Sequence, residues 1–172
     1  MNKEKRKLCE HQMKMISDLK LYNELETQKI IIFDFRPRTA FEEASIHDFS
    51  INLPYDEVET KLLEDNNILD NKLLEQYAHS DFLKGISNKC RRLFIVIIMS
   101  DDKICKEEVY KYIRGTIKES EYCDEIVKPL KFYKNLVQSK VREIGLYTKG
   151  FNKFKSTFPF LIHAYRNPPQ IL

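Results

Sequence analysis

Ser100-Asp101-Asp102-Lys103-Ile104-Cys105, which follows the longest uninterrupted apolar run, Leu93 to Met99, brings a hydroxyl and a thiol together with two carboxylates and a lysine. Cys105 opens a stretch of helical periodicity, Cys105 to Ile117. A helix N-terminus with Lys103 or Lys106 beside it would favour the thiolate, the form that attacks sulfur or phosphorus. Against this, Glu107 and Glu108 stand behind Cys105, and a cysteine on an amphipathic helix is more often a small packing residue. Ser100 is a poor phosphoryl acceptor without a base. Asp101 and Asp102 would repel an anionic substrate, and no glycine lets the loop curl its amides inward. The other cysteines, Cys9, Cys90 and Cys123, form no C-x-x-C pair with one another or with Cys105. His11, His47, His79 and His163 are equally scattered, so neither a metal site nor a cofactor is expected.

Positioning such a loop requires strands with helices between them, and the pattern supplies both. Met13 to Ile16 reads as a short strand, and Ser17 can cap a helix running to Leu25. Lys29 to Phe35 is a β-branched and aromatic run suited to a strand buried on both faces. Pro37 ends it and opens a short helix over Arg38 to Ala44. Ser50 to Leu53 reads as a second strand, closed by Pro54. Residues 55–86 carry apolar positions at helical spacing and predict two helices broken near Asp65-Asn66-Asn67. Arg92 to Met99 is the clearest strand. Helices follow over Cys105 to Ile117 and about Ile126 to Lys140, then a strand over Val141 to Tyr147 and a helix over Phe151 to Phe158. Strands alternating with helices predict an α/β fold with a central parallel sheet covered on both faces. Tyr110, Phe132, Tyr133 and Phe151 fall at helix-packing spacings, which favours a core over a base-stacking platform.

Two blocks resemble the rhodanese family. The first is Ile31-Ile32-Phe33-Asp34-Phe35-Arg36-Pro37 with Phe41-Glu42, Ser45-Ile46 and Ile51-Asn52-Leu53-Pro54; it is similar to the family's Asp-x-Arg strand end, Phe-Glu helix, His-Ile pair and Asn-Ile-Pro strand. Ser45 replaces the usual histidine. The second is Ile144 to Phe151 with Phe154 and Phe158-Pro159-Phe160-Leu161, closest in style to the rhodanese-like domains of dual-specificity phosphatases. The resemblance implies a rhodanese-like domain over 13–162, a charged extension over 1–12 and a tail over 163–172, with Asp34, Arg36, Phe41, Glu42, Asn52, Pro54, Gly150 and Phe151 as fold-signature residues. It also implies that the strand ending at Met99 should deliver a cysteine into a tight anion-binding loop. Ser100 stands in that cysteine's place, so the resemblance implies a pseudoenzyme.

Charge bears on partners. The chain carries 29 Lys and Arg against 26 Asp and Glu, a net +3. Residues 128–172 hold nine basic residues and one acid, a net of 9 − 1 = +8. Lys128, Lys131, Lys134, Lys140, Arg142, Lys149, Lys153 and Lys155 are the candidate basic interaction surface, whose expected partner is a protein with an acidic face. Nucleic acid is disfavoured. No apolar run reaches the roughly 20 residues of a membrane helix, and no secretory signal is visible. The expected setting is cytoplasmic, with the cytoskeleton or cilium considered and a mitochondrial address left open. The function expected is an inactive rhodanese-like subunit of a larger assembly; the alternative is a sulfurtransferase or phosphatase using Cys105.

Overall fold

The computed structural model describes residues 14–65, 67–70, 72–77, 91–115, 123–139 and 141–164. The charged extension, Cys9, Cys90, His11, His79, Lys140 and the tail beyond Ala164 lie outside them. Strand β1 (Lys14–Met15) is followed by α1 (Asp18–Thr27), β2 (Ile30–Asp34), α2 (Arg38–Glu43) and β3 (Ser50–Asn52). Next come two four-residue helices, α3 (Thr60–Leu63) and α4 (Lys72–Glu75), then β4 (Phe94–Ile98), α5 (Lys106–Arg114), α6 (Asp124–Gln138), β5 (Glu143–Tyr147) and α7 (Phe151–Thr157). Among the described residues the strands form one sheet in the order β1-β5-β4-β2-β3, and every neighbouring pair is parallel.

The burial of this sheet on both faces follows from its composition. Because side chains alternate along a strand, Ile31, Phe33, Ile95, Ile97, Ile144 and Leu146 face one way and join Leu62, Val109, Leu130, Phe132 and Tyr133 from α3, α5 and α6. Ile30, Ile32, Phe94, Val96, Ile98 and Tyr147 face the other way, against Leu21, Leu25, Phe151 and Phe154 from α1 and α7. Each fully buried aliphatic or aromatic side chain stabilises by roughly 1.5–3 kcal/mol. Gly145 belongs to the second face: a Cβ there would meet Ile16 Cγ2 at 2.7 Å and Phe94 Cζ at 3.0 Å. The absent side chain is what lets Phe94 and Ile16 close that end of the core.

Local signals set the helix ends. The Ser17 side chain accepts from the Lys20 amide at 3.1 Å and caps α1, while Gly115 ends α5 in the left-handed region, φ 68°. Pro37 sits at the cap of α2, one residue before the helix. In the described part of 55–86 the break falls near Asp65 and Asn67 as expected, but the helices on either side of it are shorter than the spacing predicts. Short helices flank a 3-10 turn, Ile68–Asp70, and Asp65 accepts from the Asn67 amide at 2.8 Å. Leu62, Leu63, Ile68, Leu69 and Leu74 are all buried, so each fragment is held by its own apolar anchors. Spacing alone cannot tell that arrangement from two continuous helices. No helix among the described residues is long and apolar enough to cross a membrane.

Candidate functional site

In a parallel sheet the loops after the strands gather at the carboxyl ends, where α/β proteins hold their ligands. Here that end is organised by Arg36, two residues past β2 and 2% exposed. Its Nε donates to Asp34 Oδ1 and Oδ2 at 3.0 and 3.1 Å, and one terminal nitrogen donates to Asp34 Oδ2 at 2.8 Å and to the Ala44 carbonyl at 2.7 Å. The other terminal nitrogen reaches Asp101 Oδ1 at 3.0 Å. The guanidinium lies 3.6 Å from the centroid of the Phe151 ring. Burial alone would pull its pKa down; the charge of Asp34 and the hydrogen bonds it donates to Asp34 and Asp101 overcome this and hold it above the ordinary arginine value.

The other signature residues close around this pair. Asn52 donates to the Asp34 and Arg36 carbonyls, both at 2.9 Å. Phe41 and Pro54 are buried, whereas Glu42 is exposed and outside the network. Gly150 adopts φ 92°, and a Cβ on it would lie 2.7 Å from the Asp101 carbonyl oxygen. The absence of that Cβ lets the β5–α7 turn press onto the loop after β4. There the Phe151 and Asn152 amides donate to the Ser100 and Asp101 carbonyls, both at 3.0 Å.

The loop 100–105 is therefore pinned from two sides. Its amides are partly spent: that of Ile104 donates to the Thr148 carbonyl at 2.7 Å and that of Asp102 to Ser100 Oγ at 3.3 Å. The two carboxylates expected to act together have separate fates, Asp101 paired with Arg36 and Asp102 exposed. Ser100 is buried, and its hydroxyl donates to Glu125 Oε1. The sequence reading missed this carboxylate partner. Glu125 lies in the first turn of α6, and Pro129, four residues on, has no amide to donate to its carbonyl. Cys105 is the N-cap of α5 and exposed; its Sγ donates to Glu107 Oε2 at 3.0 Å. That contact, with Lys106 and Lys103 nearby, holds the Glu107 carboxyl below its ordinary value.

Beyond Ser100 the rim turns acidic. Burial first, and then the charges of Glu125, Asp56, Cys123 and Asp124, push the Tyr55 phenol up. Cys123 is the exposed N-cap of α6. No group of three histidine, cysteine or carboxylate side chains among the described residues is arranged to hold a metal ion.

The basic residues do not share one face. Lys128, Lys131 and Lys134 lie on α6, against the first core cluster; Lys153 and Lys155 lie on α7, across the sheet. The α6 lysines are also engaged: Lys128 donates to the Val58 carbonyl at 3.4 Å, Lys131 pairs with Glu64 at 3.8 Å, and Lys134 lies 4.5 Å from the Tyr112 ring centroid. Lys153 pairs with Asp18 at 3.3 Å, Lys149 is half-buried, and Arg142 and Lys155 are exposed. Sequence charge counts cannot see which side of a sheet a helix will cover. Phe132, Tyr133 and Phe151 are core residues, as their spacing predicts. A scan against profiles of protein families returns no match, and a search of curated proteins finds no relative.

Proposed function

We propose that this chain is a rhodanese-like domain without a working sulfur- or phosphate-transfer loop, serving as an interaction subunit of a larger intracellular assembly. One observation carries the reading: the buried cation at the carboxyl end of the sheet is already spent on Asp34 and Asp101, inside the protein. A transfer loop needs positive charge and free amides aimed at an anion. Here the serine in the nucleophile's place meets a carboxylate, two loop amides are consumed internally, and the nearest thiol donates to Glu107. The signature residues Asp34, Arg36, Asn52, Gly150 and Phe151 converge on one network, and this supports reading them as the frame of such a domain. Arg142 and Lys155, exposed, remain for an acidic protein partner. The test is the sedimentation of the tagged full chain from gently lysed cells. The reading expects it to run heavier than the purified chain at low salt and to shift back as salt screens the contact. A chain sedimenting as the free monomer at every salt concentration would contradict it.

A further inference from the structure

At the opposite end of the sheet, where the chain enters β2 and β3, lies a cavity of about 220 Å³. Leu25, Ile46, Phe49 and Leu161 supply its apolar lining, and Glu26 and Asp48, both exposed, stand at it as carboxylates. Among the described residues no lysine or arginine lines it; His163 is the remaining polar wall together with Gln28. The wall is fastened rather than loose, because Ser45 and His163 exchange backbone hydrogen bonds at 3.0 and 2.9 Å. Sites for cofactors and metabolites commonly span roughly 300–1,000 Å³, so this space suits a single long side chain.

The cavity adjoins an aromatic ridge in which Tyr22 and Phe158 are half-buried and Phe160 is exposed. Tyr22 stacks on Phe158 with ring centroids 4.8 Å apart, and Phe160 meets both rings edge-on at 6.3 and 6.2 Å. Phe160 is 64% exposed and Leu19, one helical turn from Tyr22, 61% exposed; they are the exposed large hydrophobics among the described residues. Leu161 links the ridge to the cavity through the chain, and Glu26 links it through its charge, which raises the Tyr22 phenol. Rigid aromatic surface next to a pocket is the usual build of an interface anchor.

We infer that this end of the sheet is a docking cleft for an exposed segment of a partner protein bearing an apolar anchor and, a few residues away, one arginine or lysine. The anchor packs on Tyr22, Phe158 and Phe160. The basic side chain lays its aliphatic stem on Leu25 and Leu161 and its cation between Glu26 and Asp48. The carboxylates give the direction: they complement a cation and would repel an anionic lipid surface. This cleft lies at the far end of the sheet from the loop 100–105 and stands whether or not that loop is inert.

The test is a titration of the isotope-labelled full chain, followed by amide chemical shifts, with the peptide acetyl-Phe-Gly-Ser-Arg-amide. Two control peptides carry Glu in place of Arg or Ser in place of Phe. The expected result is movement of Glu26, Gln28, Asp48 and Phe160 with the arginine peptide and little with either control. Affinity should fall about fivefold in the double variant Glu26→Gln, Asp48→Asn, as for loss of two exposed charge pairs, and also in Phe160→Ser, with circular dichroism unchanged in both. Equal shifts with the glutamate peptide, or none, would overturn the inference. So would a dimer that Phe160→Ser dissociates, which would make the occupant a second copy, or cosedimentation with phosphatidylserine vesicles through Phe160.

Discussion

The two ends of the sheet are built on opposite plans. At the carboxyl end the buried polar groups have internal partners: Arg36 is shared by Asp34, Asp101 and the Ala44 carbonyl, Ser100 faces Glu125, and the loop amides of Asp102 and Ile104 are taken. At the amino end the Phe160 ring and the carboxylates of Glu26 and Asp48 are left toward solvent beside the half-buried Tyr22 and Phe158 rings and a cavity. A parallel α/β sheet offers its carboxyl end for chemistry by geometry alone. Whether that position is used depends on whether its buried cation is free, and here Arg36 is tied to Asp34 and Asp101.

Substitutions should separate the two ends, most sharply at Arg36. Arg36→Ala leaves Asp34, 0% exposed, without its cation, and should lower unfolding free energy by about 3–5 kcal/mol in urea titrations. Arg36→Lys should recover only part of this, since a lysine cannot fork across both carboxylate oxygens. Gly150→Ala should cost about 1–3 kcal/mol, because the methyl would meet the Asp101 carbonyl at 2.7 Å in a backbone with φ 92°. A loss at Gly150 no larger than at an ordinary surface site would mean the β5–α7 turn does not press on the loop.

A subtler effect is set by pH. Burial, followed by the hydrogen bond to Asp18 and its charge, raises the Tyr147 phenol well above the ordinary 10.0. Its contribution is fully present below pH 10 and drains away as pH climbs from there toward the folded-state value, because the unfolded chain ionises first. Tyr147→Phe should therefore flatten the alkaline limb of the stability curve while leaving neutral pH less affected. At the open end, Phe160→Ser should change stability by no more than about 0.5 kcal/mol, as expected of a side chain that is not holding the core.

Much of this architecture was readable from residue order. Runs such as Ile30 to Phe33 and Phe94 to Ile98 are apolar on both faces and rich in β-branched residues, which suits central strands, and Ser17 by its side chain and Pro37 by its fixed backbone mark helix starts. The fragments around α3 and α4 could not be foreseen because their leucines repeat at helical spacing, while α3 and the 3-10 turn pack on the distant α6 and α4 packs on that turn. The site was half legible. Asp34 and Arg36, two residues apart at a strand end, could be expected to organise neighbouring loops, but Asp101 lies 65 residues from Arg36 and Glu125 lies 25 from Ser100. No local pattern encodes pairings of that separation. The division of the lysines between the two faces of the sheet was hidden for the same reason.

The most direct test of the central claim is turnover by the purified full chain with thiosulfate and cyanide, and with an aryl phosphate, beside Cys105→Ser and Ser100→Cys. With its cation tied to Asp34 and Asp101, the chain should show no turnover above buffer, and Ser100→Cys should not gain any. Robust turnover that disappears in Cys105→Ser would contradict the account.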